Sequence, residues 1–137
     1  MGELGAKRVL TPHGVSHHVV TAAMKVHTAL GPGLLESAYG ACLRYELHKI
    51  GLNVAAEVPL PLVYEGVKLD IGYRLDLLVE DAVIVEIKAV EAITKIHEAQ
   101  ILSYLKLSRK SLGLIINFNV RHLKDGIKRM VNGTGWK

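Results

Sequence analysis

Residues 73–90 read YRLDLLVEDAVIVEIKAV, and the alternation within them decides the fold. The first arm ends at Val79, Glu80-Asp81-Ala82 supplies a three-residue turn, and the second arm returns from Val83 to Ala89. Alternate side chains of a strand point to opposite faces. Leu75, Leu77, Val79, Val83, Val85, Ile87 and Ala89 therefore compose one apolar face. The other face carries Leu78 and Ile84 near the turn, then Asp76, Glu86 and Lys88. The turn length sets Asp76 opposite Glu86, with Cβ atoms roughly 4.5–5.5 Å apart.

Two carboxylates at that separation repel, and each raises the pKa of the other unless a cation intervenes. Mg²⁺ suits such a pair, because it is held by one or two carboxylates together with water and phosphate. Lys88 shares the face of Glu86, where it can position an attacking water or stabilise charge at phosphorus. The same trio also reads as a solvated strand face with a cross-strand ion pair.

Composition narrows the setting. With 137 residues, 50% of them hydrophobic and 22% charged, the chain suits one globular domain with a sizeable core. No apolar run approaches the roughly 20 residues that span a bilayer. The opening MGELGAKRVLTPHG lacks the apolar core of a signal peptide, so a cytoplasmic protein is expected. A single cysteine, Cys42, excludes an internal disulfide framework and a cysteine-built zinc site. The net charge of +4 permits nucleic-acid binding without requiring it.

Around the hairpin, periodicity predicts a loose arm over 1–13, one domain over 14–132 and a frayed tail over 133–137. Val15, Val19, Ala22, Ala23, Val26 and Leu30 recur at helical spacing, predicting a first helix over 15–30. His13 and His17 are four apart, but without an accompanying carboxylate they read as surface histidines. Gly31-Pro32-Gly33 ends that helix and opens a second over 34–50. Its expected buried face is Leu34, Leu35, Ala38, Ala41, Cys42 and Tyr45, with Glu36, Tyr39 and Leu43 on an adjacent stripe. A β-prone stretch follows over 53–63, restricted by Pro59 and Pro61, and then a turn over 64–68.

Beyond the hairpin, Thr94 is an expected N-cap for a helix to about Ser108. Ile96, Ala99, Ile101, Leu102 and Leu105 form its expected core side, and His97, Gln100 and Tyr104 a polar stripe. The run LGLIINF over 112–118 reads as a strand buried on both faces. A final short helix is expected to turn Leu123, Ile127, Met130 and Val131 inward. Lys106, Arg109 and Lys110 form one basic patch, and Arg121, His122, Lys124, Lys128 and Arg129 another. Either could contact phosphates or lie on a solvated face.

The resulting order, ααβββαβα with carboxylates and a lysine on the hairpin, resembles the PD-(D/E)xK nuclease superfamily. Residues 33–39, GLLESAY, are similar to the G-x-x-E-x-x-Y signature of the GxxExxY protein family. The resemblance runs over 19–132 through LGPGLLESAY, GYRLDLLVED, HEAQILSYL and LIINFNV. It implies an α/β fold with a restriction-endonuclease-like core, a mixed central sheet and flanking helices. It implies that Asp76 is the first motif carboxylate and that Glu86 and Lys88 form the E-x-K pair. Gln100 and Tyr104 match the Q-x-x-x-Y motif of the lambda-exonuclease branch, which orients substrate or supports the metal site. Glu36 resembles a helix-borne carboxylate of the metal shell, and the Ile87 carbonyl would be a further ligand. Leu75 stands where many members have proline, a position that contributes no ligand.

Together these readings point to a Mg²⁺- or Mn²⁺-dependent nuclease acting on nucleic acid, DNA before RNA, with the basic rim supplying salt-sensitive affinity. A homodimer would let two sites cut two strands. The competing readings are a non-catalytic binding module on the same fold and a small-molecule phosphohydrolase.

Overall fold

The structure is a computed structural model and describes residues 10–137. The expected arm therefore lies mostly outside the described residues. From Thr11 onward the chain is ordered by contacts: the Thr11 hydroxyl accepts from Gly14 N–H at 3.0 Å and caps helix α1, Pro12–Leu30, with Pro12 in the first turn. At the other end Trp136 accepts a hydrogen bond from His13 N–H at 2.8 Å and packs against the α1 core. These contacts tie the expected frayed tail to the first helix.

Helix α2, Glu36–Lys49, leads into strand β1, Val54–Pro59. The segment expected as a turn is a small hairpin, β2 Leu62–Tyr64 with β3 Val67–Leu69. Glu65 and Gly66 both have positive φ at its tip, the backbone that a two-residue hairpin turn requires. Strands β4, Arg74–Val79, and β5, Val83–Lys88, form the predicted hairpin. Helix α3, Lys95–Ser108, then crosses to β6, Leu112–Asn117, which runs parallel to β5. Thr94 caps α3 as expected, and His97 completes a reciprocal capping box, accepting from Thr94 N–H at 3.0 Å. His97 is therefore a cap rather than part of a solvated stripe.

The expected last helix is absent. Leu123–Gly126 make one short 3-10 turn, and Ile127–Val131 form β7, antiparallel to β6. The five-stranded mixed sheet has the order β1-β4-β5-β6-β7. Strand β6 is buried along its whole length. An uncovered β6 edge would present unpaired N–H and C=O groups, and β7 closes it.

Helices α1 and α2 cover one face of the sheet, where Val15, Val19 and Val26 meet Leu43, Leu47, Val85 and Leu114. On the other face α3 packs Ile101, Tyr104 and Leu105 against Ile84 and Ile115. Among the described residues no helix is long and apolar enough to cross a membrane.

The helix faces depart from expectation in α2. Tyr39, Leu43 and Leu47 are buried, whereas Leu35 is 76% exposed and Tyr45 65% exposed. Tyr39 decides the rotation, because its ring stacks on Phe118 with centroids 4.5 Å apart. Its hydroxyl donates to Gly31 O at 2.6 Å and accepts from Leu34 N–H at 3.1 Å, fastening the loop that leads to Glu36. In α3 the expected core residue Ile96 is 77% exposed, and Tyr104 is buried instead.

The Tyr39→Phe change keeps the ring stack and removes both loop hydrogen bonds. Chemical denaturation is expected to show a loss of about 1–2 kcal/mol. An unchanged midpoint would show that the loop before Glu36 is held by something other than this hydroxyl.

Candidate active site

The strands of the hairpin do not stay regular. Backbone pairing of β4 with β5 covers Val79↔Val83, Leu78↔Ile84 and Leu77↔Val85. At the next position side chains take over. Asp76 N–H donates to Glu86 Oε2 at 3.0 Å, and Ile87 N–H donates to Asp76 Oδ2 at 2.8 Å. Asp76 and Glu86 are thus adjacent across the strands, as the turn length predicted, but each is bonded to the other strand's backbone.

The neighbouring strand shares the irregularity. Ala56 pairs with Leu77 and Val58 with Leu75, so Glu57 lies between these rungs, level with Asp76. Glu57 has φ of 52°, a left-handed conformation that costs a non-glycine residue free energy. Inward and outward positions exchange there on both strands. Ala56 and Leu77 pack toward α1 and α2, whereas Val58 and Leu75 pack with Ile84 toward α3. Leu75, expected on the same face as Leu77 and Val79, is therefore on the opposite one.

This inversion turns Asp76 toward α2. It lines an open cavity of about 430 Å³ with Glu36, Glu57, Leu77 and Ile87. Glu36, in the first turn of α2, has its Oε2 3.2 Å from Ala89 N–H, which donates to it. Glu86 lies off the cavity wall, 5% exposed. Lys88 is half-buried at the end of β5. Behind it the buried Asn117 accepts from Val90 N–H and donates to Val90 O, and Phe118 N–H donates to Lys88 O at 2.9 Å. Gln100 is exposed on α3, while Tyr104, one turn on, is buried with its ring 6.0 Å from that of Tyr73.

Burial dominates the electrostatics. It pushes Glu86 up to about 8, and the Asp76 charge adds to the rise. Asp76 is also raised, chiefly by burial, with the Ile87 N–H and the Lys88 charge offsetting part of the effect. The Tyr104 hydroxyl is raised by burial first and then by the Glu86 charge. Both acids are thus shifted toward their protonated forms, and Lys88 is the opposing cation for both.

The donor set fits a hard dication in kind. One oxygen of Asp76 and one of Glu86 are committed to backbone N–H groups, leaving the second oxygen of each for another partner. Glu36 stands on the same cavity wall as Asp76. The convergence expected of the three carboxylates is only partial: among the described residues no three His, Cys, Asp or Glu side chains are grouped as a metal site. A pair supplemented by water and phosphate is what these positions offer.

The basic patches are partly neutralised, Lys110 by Asp81 at 3.0 Å and Lys128 by Glu98 at 3.9 Å. Arg129 keeps its charge and donates to His13 Nδ1 at 3.0 Å. Glu57 and Arg44, which also lines the cavity, went unrecognised in the sequence. Glu57 lies in a stretch with ordinary strand alternation, and Arg44 lies among other charged helix residues, so neither carried a signal.

A fold with a mixed sheet between helices and paired acids beside a lysine on its central hairpin defines a nuclease-like class. The chain belongs to the PD-(D/E)XK nuclease superfamily, whose family model matches residues 13–130. No curated protein and no solved structure matches it.

The raised acids make stability depend on pH. A carboxyl group whose pKa is higher folded than unfolded binds its proton more tightly in the folded state. Its contribution is fully present below its ordinary value and disappears as pH rises through about 8 for Glu86. In EDTA the Tm is therefore expected to fall between about pH 5 and pH 8. Glu86→Gln should flatten that fall and raise the Tm at the alkaline end by about 5 °C or more. Identical Tm profiles for the two proteins would contradict burial of an ionisable Glu86.

Proposed function

We propose that the chain is a Mg²⁺- or Mn²⁺-dependent nuclease of the GxxExxY type, hydrolysing phosphodiester bonds of DNA. The observation that carries this reading is the pairing of Asp76 with Glu86, two acids held against each other's backbone with raised pKa values. A stable protein rarely keeps such a pair without use for it, and strongly perturbed groups cluster at functional sites. Membership in a nuclease superfamily supports the substrate class.

Asp76 and Glu86 would hold the dication, with Glu36 reaching it from the cavity wall. When bound, the ion supplies Lewis acidity at the phosphoryl oxygen. Lys88, fixed from behind by Asn117 and Phe118, orients the attacking water and offsets charge developing at phosphorus. Tyr104 limits solvent beside Glu86, and Gln100, on the exposed side of the same helix, contacts the substrate strand. Ile87 gives its N–H to Asp76 and sets that carboxylate's orientation.

The competing reading is a non-catalytic module on the nuclease fold. The lack of a grouped three-residue metal site among the described residues favours it. Retention of Asp76, Glu86 and Lys88 together favours the enzyme.

Incubation with DNA in Mg²⁺, Mn²⁺ or EDTA separates the two. Wild type is expected to cut with metal and not in EDTA. Asp76→Ala and Lys88→Ala should each lose roughly a hundred-fold or more, the scale on which a positioned acid–base group contributes. Equal residual cleavage by all three proteins would indicate a contaminant and leave the module reading standing. A metal titration adds an independent arm, since millimolar Mn²⁺ should raise the Tm of wild type and not of Asp76→Ala.

A further inference from the structure

The cavity carries both signs of charge. Glu36, Glu57 and Asp76 are the acids on its wall, and Arg44 is the one cationic side chain there among the described residues. Arg44 is solvent-exposed and forms no ion pair with the three acids across the cavity or with any other described residue. A guanidinium is a planar fork of donors suited to phosphate, and here no protein carboxylate occupies it.

Helix geometry places that fork at a defined remove. Glu36, Gly40 and Arg44 are successive residues of one α2 stripe, all lining the cavity. Eight residues at 1.5 Å each separate Glu36 from Arg44 by about 12 Å along the axis. An Arg44 side chain extended along the helix away from Glu36 therefore meets a different phosphate from the one beside the acids. Midway, Gly40 has no side chain, and a Cβ there would lie 3.3 Å from Ile87 Cδ1. Mid-helix glycine costs about 1 kcal/mol relative to alanine, and here it lets α2 approach Ile87 of β5 closely beneath the cavity.

We propose that Arg44 binds a backbone phosphate of the substrate strand adjacent to, and not at, the bond being cut, so that the strand lies along α2 from Glu36 to Arg44. The proposal rests on the nuclease reading for the identity of the strand. It rests on the cavity itself for the anion. Arg44 is a binding residue and takes no part in bond breaking.

The test measures binding and hydrolysis separately. Binding of a short fluorescein-labelled DNA single strand is followed by anisotropy in Ca²⁺ across a salt series, with a gel checking that the strand stays intact. Neutralising one phosphate contact on a single strand contributes about 0.7 to the slope of log K against log salt. Arg44→Gln should reduce the slope by about that amount and weaken binding about ten-fold. Arg44→Lys should retain the slope, because the charge remains. Hydrolysis of bis(4-nitrophenyl) phosphate, which has no neighbouring phosphate, should be the same for wild type and Arg44→Gln, and circular dichroism checks that both are folded.

An unchanged slope in Arg44→Gln, or no binding of the strand by wild type, overturns the proposal. Equal loss on the minimal ester also overturns it, because Arg44 would then act at the scissile group. Should no phosphodiester be cut while the slope still falls, Arg44 stands and the nuclease reading fails.

Discussion

A buried acid, Glu86, and a half-buried one, Asp76, side by side in the middle of a β-sheet impose the constraint on which the site depends. A carboxylate removed from water must be neutralised or given donors. Asp76 and Glu86 each take an N–H from the opposite strand, and backbone pairing of β4 with β5 ends at Leu77↔Val85. Strand β5 remains paired with β6 through Lys88↔Asn117, so the departure belongs to β4. Strand β1 follows β4, and both reverse their facing at the level of Asp76 and Glu57. The left-handed Glu57 is the local cost of keeping β1 and β4 in register while Asp76 turns toward α2.

Much of this was legible in the sequence because it depends on local pattern. The three-residue turn fixed the opposition of Asp76 and Glu86, Thr94 marked the start of α3, and the run over 112–118 announced a buried strand. The reversal was not legible. Val54, Ala56 and Val58 alternate as in a regular strand, and so do Leu75, Leu77 and Val79, yet the structure sends the members of each set to opposite faces. Strand periodicity reports which face a residue would occupy if nothing twisted the chain, and the twist here comes from carboxylates whose partners lie ten and eleven residues away.

The two larger misreadings have the same origin. Helix α2 offers two apolar stripes of comparable length. The choice between them is made by Phe118, which supplies a ring for Tyr39 from the far end of the chain. Residues 123–131 have helical spacing, but β6 needs a neighbour on its open side, and pairing over Ile127–Val131 outweighs local propensity. In each case a distant partner selected between readings that the local sequence left nearly equal.

Those distant partners also explain how the site can be assembled from three separate elements. Glu36 is presented by a loop tied to the Tyr39 hydroxyl, and the Tyr39 ring rests on Phe118. Phe118 N–H in turn holds the Lys88 carbonyl, and Asn117 fixes Val90 just beyond it. Helix α2 and the end of β5 are therefore referenced to the same two residues at the end of β6. The spacing between Glu36 and Lys88 is set by this shared anchor together with the Ala89 N–H that donates to Glu36, not by a contact between the Glu36 and Lys88 side chains. Tyr39 then has a physical reason to stand three residues after Glu36: it fixes the height and rotation at which that carboxylate meets the cavity. Asp76, by contrast, is located from β5 through Ile87, so the carboxylates on the cavity wall are positioned by independent routes. Displacing α2 would move Glu36 together with Arg44 and leave the Asp76–Glu86 pair in place, which divides the structure into a fixed acidic pair in the sheet and a wall laid beside it.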